Sequence, residues 1–315
     1  MISITRQTSL FAPLLLILTI AASIVRLHLN PFAIEIAECS LLPLWWECVV
    51  AALMLCIAGF VVNRAAVKVG LFGGFSALPV SMFGFISCAI FLSPDILTAA
   101  AASLTTAFGT MFLIRSVQFH NDKESLFTSA LLFGTSAVIY PPSITLVAVL
   151  LLAIFIIPLS FRQIVIAFTG YLIPLVGVSY VGWYMGSEIT AVPLNIYNTL
   201  VSNTNPLLSL ESLPLCAAAI LLVLTLILIY GIMVGAYHRY SLLVPVRKTV
   251  HLIIWMSLIT SATLIIPGSG ITMLPVAAVP TAVLSAFALD RMTPRWANIF
   301  YGVLIIAILL HLLFY

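Results

Sequence analysis

Long apolar runs separated by short polar stretches recur along the whole chain. Most of them are close to the roughly 20 residues that a helix needs to cross the hydrocarbon core of a bilayer. In chain order the runs are Ser9–Val25, Leu42–Val62, Leu71–Phe91, Ile96–Ile114, Leu126–Tyr140, Ile144–Leu159, Ile164–Met185, Pro214–Ala236, Val250–Ile266, Ile271–Leu289 and Trp296–Leu313. Lipid offers the backbone no hydrogen-bond partner, and a helix satisfies its own N–H and C=O groups. The pattern therefore predicts an all-α, polytopic integral membrane protein with about eleven transmembrane helices.

These helices are predicted to form a single transmembrane domain over residues 1–315, with no soluble domain. The first run follows a short start that carries Arg6, which is also typical of a signal peptide. No A-x-A-like small-residue site precedes Arg26, so we expect this run to be retained as the first helix.

Composition supports a membrane location and excludes several classes of function. Apolar residues make up 63% of the chain and charged residues only 7%, whereas a typical soluble domain is about 25% charged. The net charge of +3 is too small to indicate a nucleic-acid partner. The five cysteines show no C-x-x-C spacing, so neither a metal site nor a disulfide framework is predicted. No nucleotide-binding or hydrolase motif occurs, and no cofactor is indicated.

Charged residues are distributed unevenly between the two sides of the predicted helices. With the N-terminus in the cytoplasm, the inner segments hold eleven of the twelve Lys and Arg residues, and Arg26 alone lies outside. Six of the nine acidic residues lie on the outer side. Lys and Arg in short loops resist translocation, and a helix added or dropped would exchange the faces of every later loop. The distribution therefore favours eleven helices, with the N-terminus in and the C-terminus out.

Local signals mark both ends of the predicted fifth helix. Asn121, with Glu124 three residues later, predicts a capping box at its start. Tyr140-Pro141-Pro142-Ser143 predicts a tight break at its end. Because Leu126–Tyr140 is a short run, we expect this helix to be shielded by neighbours or extended at its polar end.

Two prolines fall within the tenth run. Pro275 and Pro280 each lack a backbone N–H, which predicts a kink in this helix. A discontinuous helix could instead open a cavity, as in transporters. No Lys, Arg or Asp lies deep in any run, and proton-coupled transporters need such groups. Ion-coupled transport is therefore disfavoured.

Two outer segments are the candidate places for an outward-facing site. The longest outer loop, Gly186–Leu213, carries Glu188 but no cation. The segment Leu27–Leu41 carries Glu35 and Glu38, which would share one face of a helical turn. In membrane glycosyltransferases that use lipid-linked sugar donors, an acid in the first outer loop can act as the catalytic base. Alternatively, the acids collect outside because the cations collect inside.

Glu47 is a third candidate for a catalytic role. It lies within the second run, after Trp45-Trp46, and an ionisable group inside a membrane segment is a functional candidate by default. Alternatively, its carboxylate reaches the headgroup level, where the two tryptophans anchor the helix.

An inner cluster of basic residues is a candidate site for an anionic lipid headgroup or a phosphate. It consists of His238-Arg239 and Arg247-Lys248. Alternatively, Arg239, Arg247 and Lys248 only determine the topology, as such residues do in every polytopic protein.

Between Leu92 and Gly186 the chain carries a series of short motifs. They are Ser93-Pro94, Glu124-Ser125-Leu126-Phe127, Leu132-Phe133-Gly134, Tyr140-Pro141-Pro142-Ser143, Phe161-Arg162-Gln163 and Gly170-Tyr171-Leu172-Ile173-Pro174. With these motifs the chain resembles an uncharacterised family of polytopic inner-membrane proteins of Bacteroidetes, a domain of unknown function. The resemblance implies a Gram-negative inner membrane, with the outer face in the periplasm. It implies no activity, and the matched positions are mostly helix starts and turns.

Two functions from different classes follow. The first is a non-enzymatic subunit or scaffold of a cell-envelope assembly, with membrane lipids and other envelope membrane proteins as partners. The second is a membrane glycosyltransferase-like enzyme that uses a polyprenyl-linked sugar donor, with its site on the periplasmic face.

Overall fold

The computed structural model describes most of the predicted membrane domain. The described residues are 13–14, 16–18, 20–21, 44–72, 76–87, 96–119, 122–156, 159–201, 215–237, 243–264 and 273–314. This part of the chain is helical, as the apolar pattern predicts, and contains no strand.

The described residues form eleven α-helices and one 3-10 helix. They are α1 (Leu44–Lys68), α2 (Leu78–Ser87), α3 (Ile96–Gln118), α4 (Lys123–Ile139), a 3-10 helix (Pro141–Thr145), α5 (Leu146–Ile156), α6 (Phe161–Tyr184), α7 (Ala191–Val201), α8 (Leu215–Tyr237), α9 (Val244–Thr263), α10 (Leu274–Arg291) and α11 (Pro294–Phe314). Residues 13–14, 16–18 and 20–21, within the first predicted run, are also helical.

Among the described residues, four helices are long and apolar enough to cross a membrane. They are α1, α3, α6 and α10. Three shorter apolar helical stretches accompany them, at Leu78–Ser87, Pro141–Ile156 and Leu222–Tyr237. Length and composition therefore support a membrane protein.

Helix α10 lies at the centre of one of two apolar cores. Every residue from Leu274 to Leu289 is buried, and α2, α8, α3 and α9 pack around the helix. Pro280 lies inside α10, and the helix is continuous through it. The expectation that Pro275 would break the hydrogen bonding of this helix was wrong. This residue lies in the first helical turn, where a backbone N–H has no intrahelical partner, so proline removes no hydrogen bond there.

The second core lies where α3, α4 and α6 pack side by side. On α6 the buried positions are Gln163, Ala167, Gly170 and Tyr171, which form one stripe along the first half of the helix. The rest of α6 is largely exposed, so it lies at an edge of the helical bundle. As expected, neighbouring helices shield the short α4 on two sides.

The predicted break at Tyr140 is confirmed, because a 3-10 helix follows this residue directly. The predicted capping box was wrong by one position. Asp122 is the N-cap of α4, and its carboxylate accepts hydrogen bonds from the Ser125 N–H (3.1 Å) and the Ser125 hydroxyl (2.6 Å). A charged carboxylate also interacts more favourably than an amide with the positive end of a helix dipole. Asn121 lies outside the described residues.

The stretch predicted as the longest outer loop contains a helix, α7. Helix α6 ends in a Schellman motif, with Gly186 at φ 94°. The Gly186 N–H donates to the Trp183 carbonyl (3.0 Å), and the Ser187 N–H donates to the Gly182 carbonyl (2.9 Å). The chain thereby reverses direction, and α7 begins five residues after Gly186. Its buried position, Ile196, lies on the face that the α6–α7 hairpin covers.

Candidate functional site

The three candidate acids are not brought together in the described structure. Glu35 and Glu38 lie outside the described residues. Glu47 is half-buried in the first turn of α1, where a carboxylate interacts favourably with the helix dipole. In the part of the chain that the structure describes, no three His, Cys, Asp or Glu residues are grouped so that they could hold a metal ion.

The candidate basic cluster is only partly described. Arg239 lies outside the described residues, whereas Arg247 and Lys248 are half-buried in the first turns of α9. Two further residues lie on the same helical face as Arg247, at four-residue intervals: His251 and Trp255. The Trp255 indole N–H donates to His251 Nε2 at 3.1 Å, and both side chains are exposed. Sequence reasoning missed this pair, although the spacing from Arg247 to Trp255 indicates it.

An ion pair connects the ends of α3 and α4. Arg115 Nε lies 3.2 Å from Asp122 Oδ2, on the same carboxylate that caps α4. The Ser125 hydroxyl and N–H, together with the Arg115 guanidinium, lower the pKa of Asp122 below its usual value. The pair lies between two helices and stabilises their connection.

A series of hydroxyl groups links α3 and α4 to the 3-10 helix. The Ser136 hydroxyl lies 3.1 Å from the Thr106 hydroxyl on α3 and donates to the Ser143 hydroxyl at 3.1 Å. The Ser143 hydroxyl in turn donates to the Tyr140 carbonyl at 2.7 Å. Nearby, the Ser129 hydroxyl on α4 donates to the Gly109 carbonyl on α3 at 2.8 Å. These bonds satisfy polar groups between apolar helices, where a lone hydroxyl is costly.

Helices α4 and α6 approach closely at two glycines. A Cβ at Gly134 would overlap the Tyr171 carbonyl oxygen, and a Cβ at Gly170 would lie 2.9 Å from the Phe127 carbonyl oxygen. Each glycine therefore faces the backbone of the partner helix, as small residues do in membrane helix pairs. Both belong to motifs that the sequence singles out, Leu132-Phe133-Gly134 and Gly170-Tyr171-Leu172-Ile173-Pro174. The structure gives these motifs a packing role.

A cleft of about 590 Å³ lies between the second half of α6 and helix α7. We call it the α6–α7 cleft. Leu172 and Val176 line it on α6, and Val192, Ile196 and Leu200 line it on α7. All five side chains are apolar, so the cleft is suited to a hydrocarbon group.

One end of the α6–α7 cleft is closed by the 3-10 helix, which contributes Ile144. The Tyr171 hydroxyl on α6 donates to the Ile144 carbonyl at 3.3 Å and thereby holds this end in place. Three polar side chains also line the cleft, Ser179 and Tyr180 on α6 and Tyr197 on α7. The two tyrosines are 59% and 60% exposed, which places them at the rim.

Comparisons with models of protein families, with curated proteins and with solved structures find no match to this chain. The resemblance to a Bacteroidetes membrane family therefore stays a prediction, and the function is argued from the chain's own residues.

Proposed function

We propose that this chain is a multi-pass integral protein of a bacterial inner membrane and acts as a non-enzymatic subunit or scaffold of a cell-envelope assembly. The proposed topology has about eleven transmembrane helices, with the N-terminus in the cytoplasm and the C-terminus in the periplasm. Its partners would be membrane lipids and other envelope membrane proteins.

The observation that supports this proposal is how the buried polar side chains are used. Among the described residues, tyrosine and cysteine apart, they are all Ser, Thr or Gln, and no Asp, Glu, Lys, Arg or His side chain is buried. With the exceptions of Ser125, Ser136 and Gln163, they donate to backbone carbonyls. Most of these carbonyls are in the same helix, as for Thr260, and a few are in a neighbour, as for Ser103, which donates to Pro275 at 2.9 Å. The bonds between helices, made by Ser103 and Ser129, hold helices together. The bonds within a helix satisfy the hydroxyl without a partner from outside. The polar groups inside the described bundle therefore act in packing.

The outer surface of the bundle supports a role in assembly. Helix α6 exposes apolar side chains around most of its second half, among them Ile173, Val176 and Val181. The aromatic residues Trp183 and Tyr184 follow at its end, as is typical of the membrane interface. A helix at the edge of the bundle with these properties can pack against lipid or against the helices of a partner.

The experiment that tests the subunit proposal is affinity purification of the tagged protein from its native host in mild detergent, followed by native mass spectrometry. We expect a protein partner at a fixed ratio, which must bind again when both proteins are co-expressed in a second host. An unrelated multi-pass protein with the same tag is the control. A chain that purifies alone, at normal abundance and with its lipids retained, would contradict the subunit proposal.

The second candidate function is the glycosyltransferase-like enzyme with a polyprenyl-linked sugar donor. The α6–α7 cleft supports this function in one respect, because such an enzyme must hold a lipid chain and the cleft has an apolar lining. Glu35→Gln and Glu38→Gln should then abolish sugar transfer without lowering the amount of protein in the membrane. If both variants complement a deletion strain as well as the wild type does, the enzymatic function is wrong.

A further inference from the structure

The α6–α7 cleft opens sideways from the bundle. Its lining residues Leu172 and Val176 are 50% and 62% exposed, whereas Ile196 at its base is 7% exposed. The exposed part of the lining is continuous with the apolar surface of α6. In a membrane this open side meets the hydrocarbon of the bilayer, and a lipid chain can enter the cleft without crossing water.

The rim of the cleft combines hydroxyl groups with aromatic rings. The hydroxyls of Ser179, Tyr180 and Tyr197 can donate to the ester and phosphate oxygens of a lipid. The rings of Tyr180 and Trp183 lie 5.9 Å apart, at the end of α6. Aromatic side chains of this kind mark the level of the headgroups. The cleft therefore has an apolar interior and a polar rim, as an amphipathic ligand requires.

Charge at this end of the hairpin selects among possible headgroups. Among the described residues between Gln163 and Tyr237, Glu188 is the only charged side chain. It immediately precedes Ile189, which lines the cleft, and the Thr190 hydroxyl lies 3.5 Å from Glu188 Oε2. An anionic headgroup would be repelled by this carboxylate. An ammonium group would be attracted to it.

From these contacts we infer that the α6–α7 cleft binds one phospholipid with an amine headgroup. One hydrocarbon chain lies between α6 and α7, the ester and phosphate oxygens accept from the rim hydroxyls, and the ammonium group lies beside Glu188. This inference rests on the membrane location proposed above but not on the scaffold role. The charge argument also disfavours a polyprenyl phosphate in this cleft.

The test is native mass spectrometry of the full-length protein, stripped of lipid in detergent and titrated with phosphatidylethanolamine, phosphatidylglycerol or a polyprenyl phosphate. Val176→Trp places a large ring in the cleft from an exposed position, and Val178→Trp is the matched control on an exposed part of α6 outside the cleft. We expect one bound phosphatidylethanolamine in the wild type and in Val178→Trp. In Val176→Trp its affinity should fall about tenfold, which corresponds to about 1.4 kcal/mol.

The headgroup is tested separately with Glu188→Gln, an exposed substitution that leaves the apolar walls intact. The preference for phosphatidylethanolamine over phosphatidylglycerol should fall by about two- to fivefold, as for an exposed ion pair. Equal binding by the two tryptophan variants would overturn the inference, as would a wild-type preference for either anionic lipid. A wild type that binds no lipid would also overturn it. A dimer that Val176→Trp disrupts would overturn it as well, because a second copy of the chain would then occupy the cleft.

Discussion

Replacing Gly134 by alanine tests the close packing of α4 and α6. The added Cβ would overlap the carbonyl oxygen of Tyr171 on the facing helix, and Pro174 Cγ lies 3.2 Å from the same point. A carbonyl inside a helix cannot rotate away as a side chain can. The two helices would therefore have to move apart, which would also disturb the contact at Gly170.

The size of the effect follows from two opposing contributions. Alanine favours a helix interior over glycine by about 0.5–1 kcal/mol. Overpacking a tight interior costs about 1–3 kcal/mol, and the upper part of this range applies because backbone must shift. The net loss of stability is then about 2 kcal/mol. At about 2–4 °C per kcal/mol for a large domain, the midpoint of thermal unfolding should fall by about 4–8 °C.

The matched control is Gly177→Ala, on α6 itself, where a Cβ would meet no heavy atom within 4 Å. Both variants are heated in the same detergent, and the fraction that remains monodisperse is followed by size-exclusion chromatography. Gly177→Ala should match or slightly exceed the wild type. If Gly134→Ala is as stable as Gly177→Ala, then α4 and α6 do not pack as described.

Three further predictions concern topology, capping and the interior hydroxyls. Reporter fusions after Met185 and after Tyr315 should both indicate the outside, and an inside signal at Tyr315 would contradict eleven spans. Asp122→Asn should lower the unfolding midpoint at neutral pH, because hydrogen bonds and an ion pair stabilise the ionised carboxylate and lower its pKa. The wild type should lose this advantage progressively as the pH falls below the usual carboxyl pKa of about 4 and through the lower folded value. A difference that does not shrink as the pH is lowered from neutral would refute the assignment. Ser136→Ala breaks bonds between α3, α4 and the 3-10 helix and should lower the free energy of unfolding by about 1 kcal/mol. Thr135→Ala loses only a bond within its own helix and should lower stability less in the same thermal assay.

The sequence alone determined that the chain is helical and where most of the helices lie. The reason is that apolar run length and backbone hydrogen bonding in lipid are local properties. The break at Tyr140-Pro141-Pro142-Ser143 was also predictable, because proline cannot continue the hydrogen-bonding pattern of α4. The capping residue was missed by one position, since Asn121 and Asp122 are both good N-caps. The ion pair with Arg115 on α3 favours Asp122, and it is a tertiary contact that the local sequence does not indicate.

Only the tertiary structure decided which helical faces meet. A membrane helix is apolar on its lipid-facing side as well as on its buried side, so its pattern does not indicate which side contacts a neighbour. The contact of Gly134 with Tyr171 and the α6–α7 cleft therefore could not be derived from the sequence. Helix α7 was predicted as loop because its eleven residues are too few to span a bilayer. What gives α7 its place is the reversal at Gly186, which brings Ile196 over the apolar wall of α6.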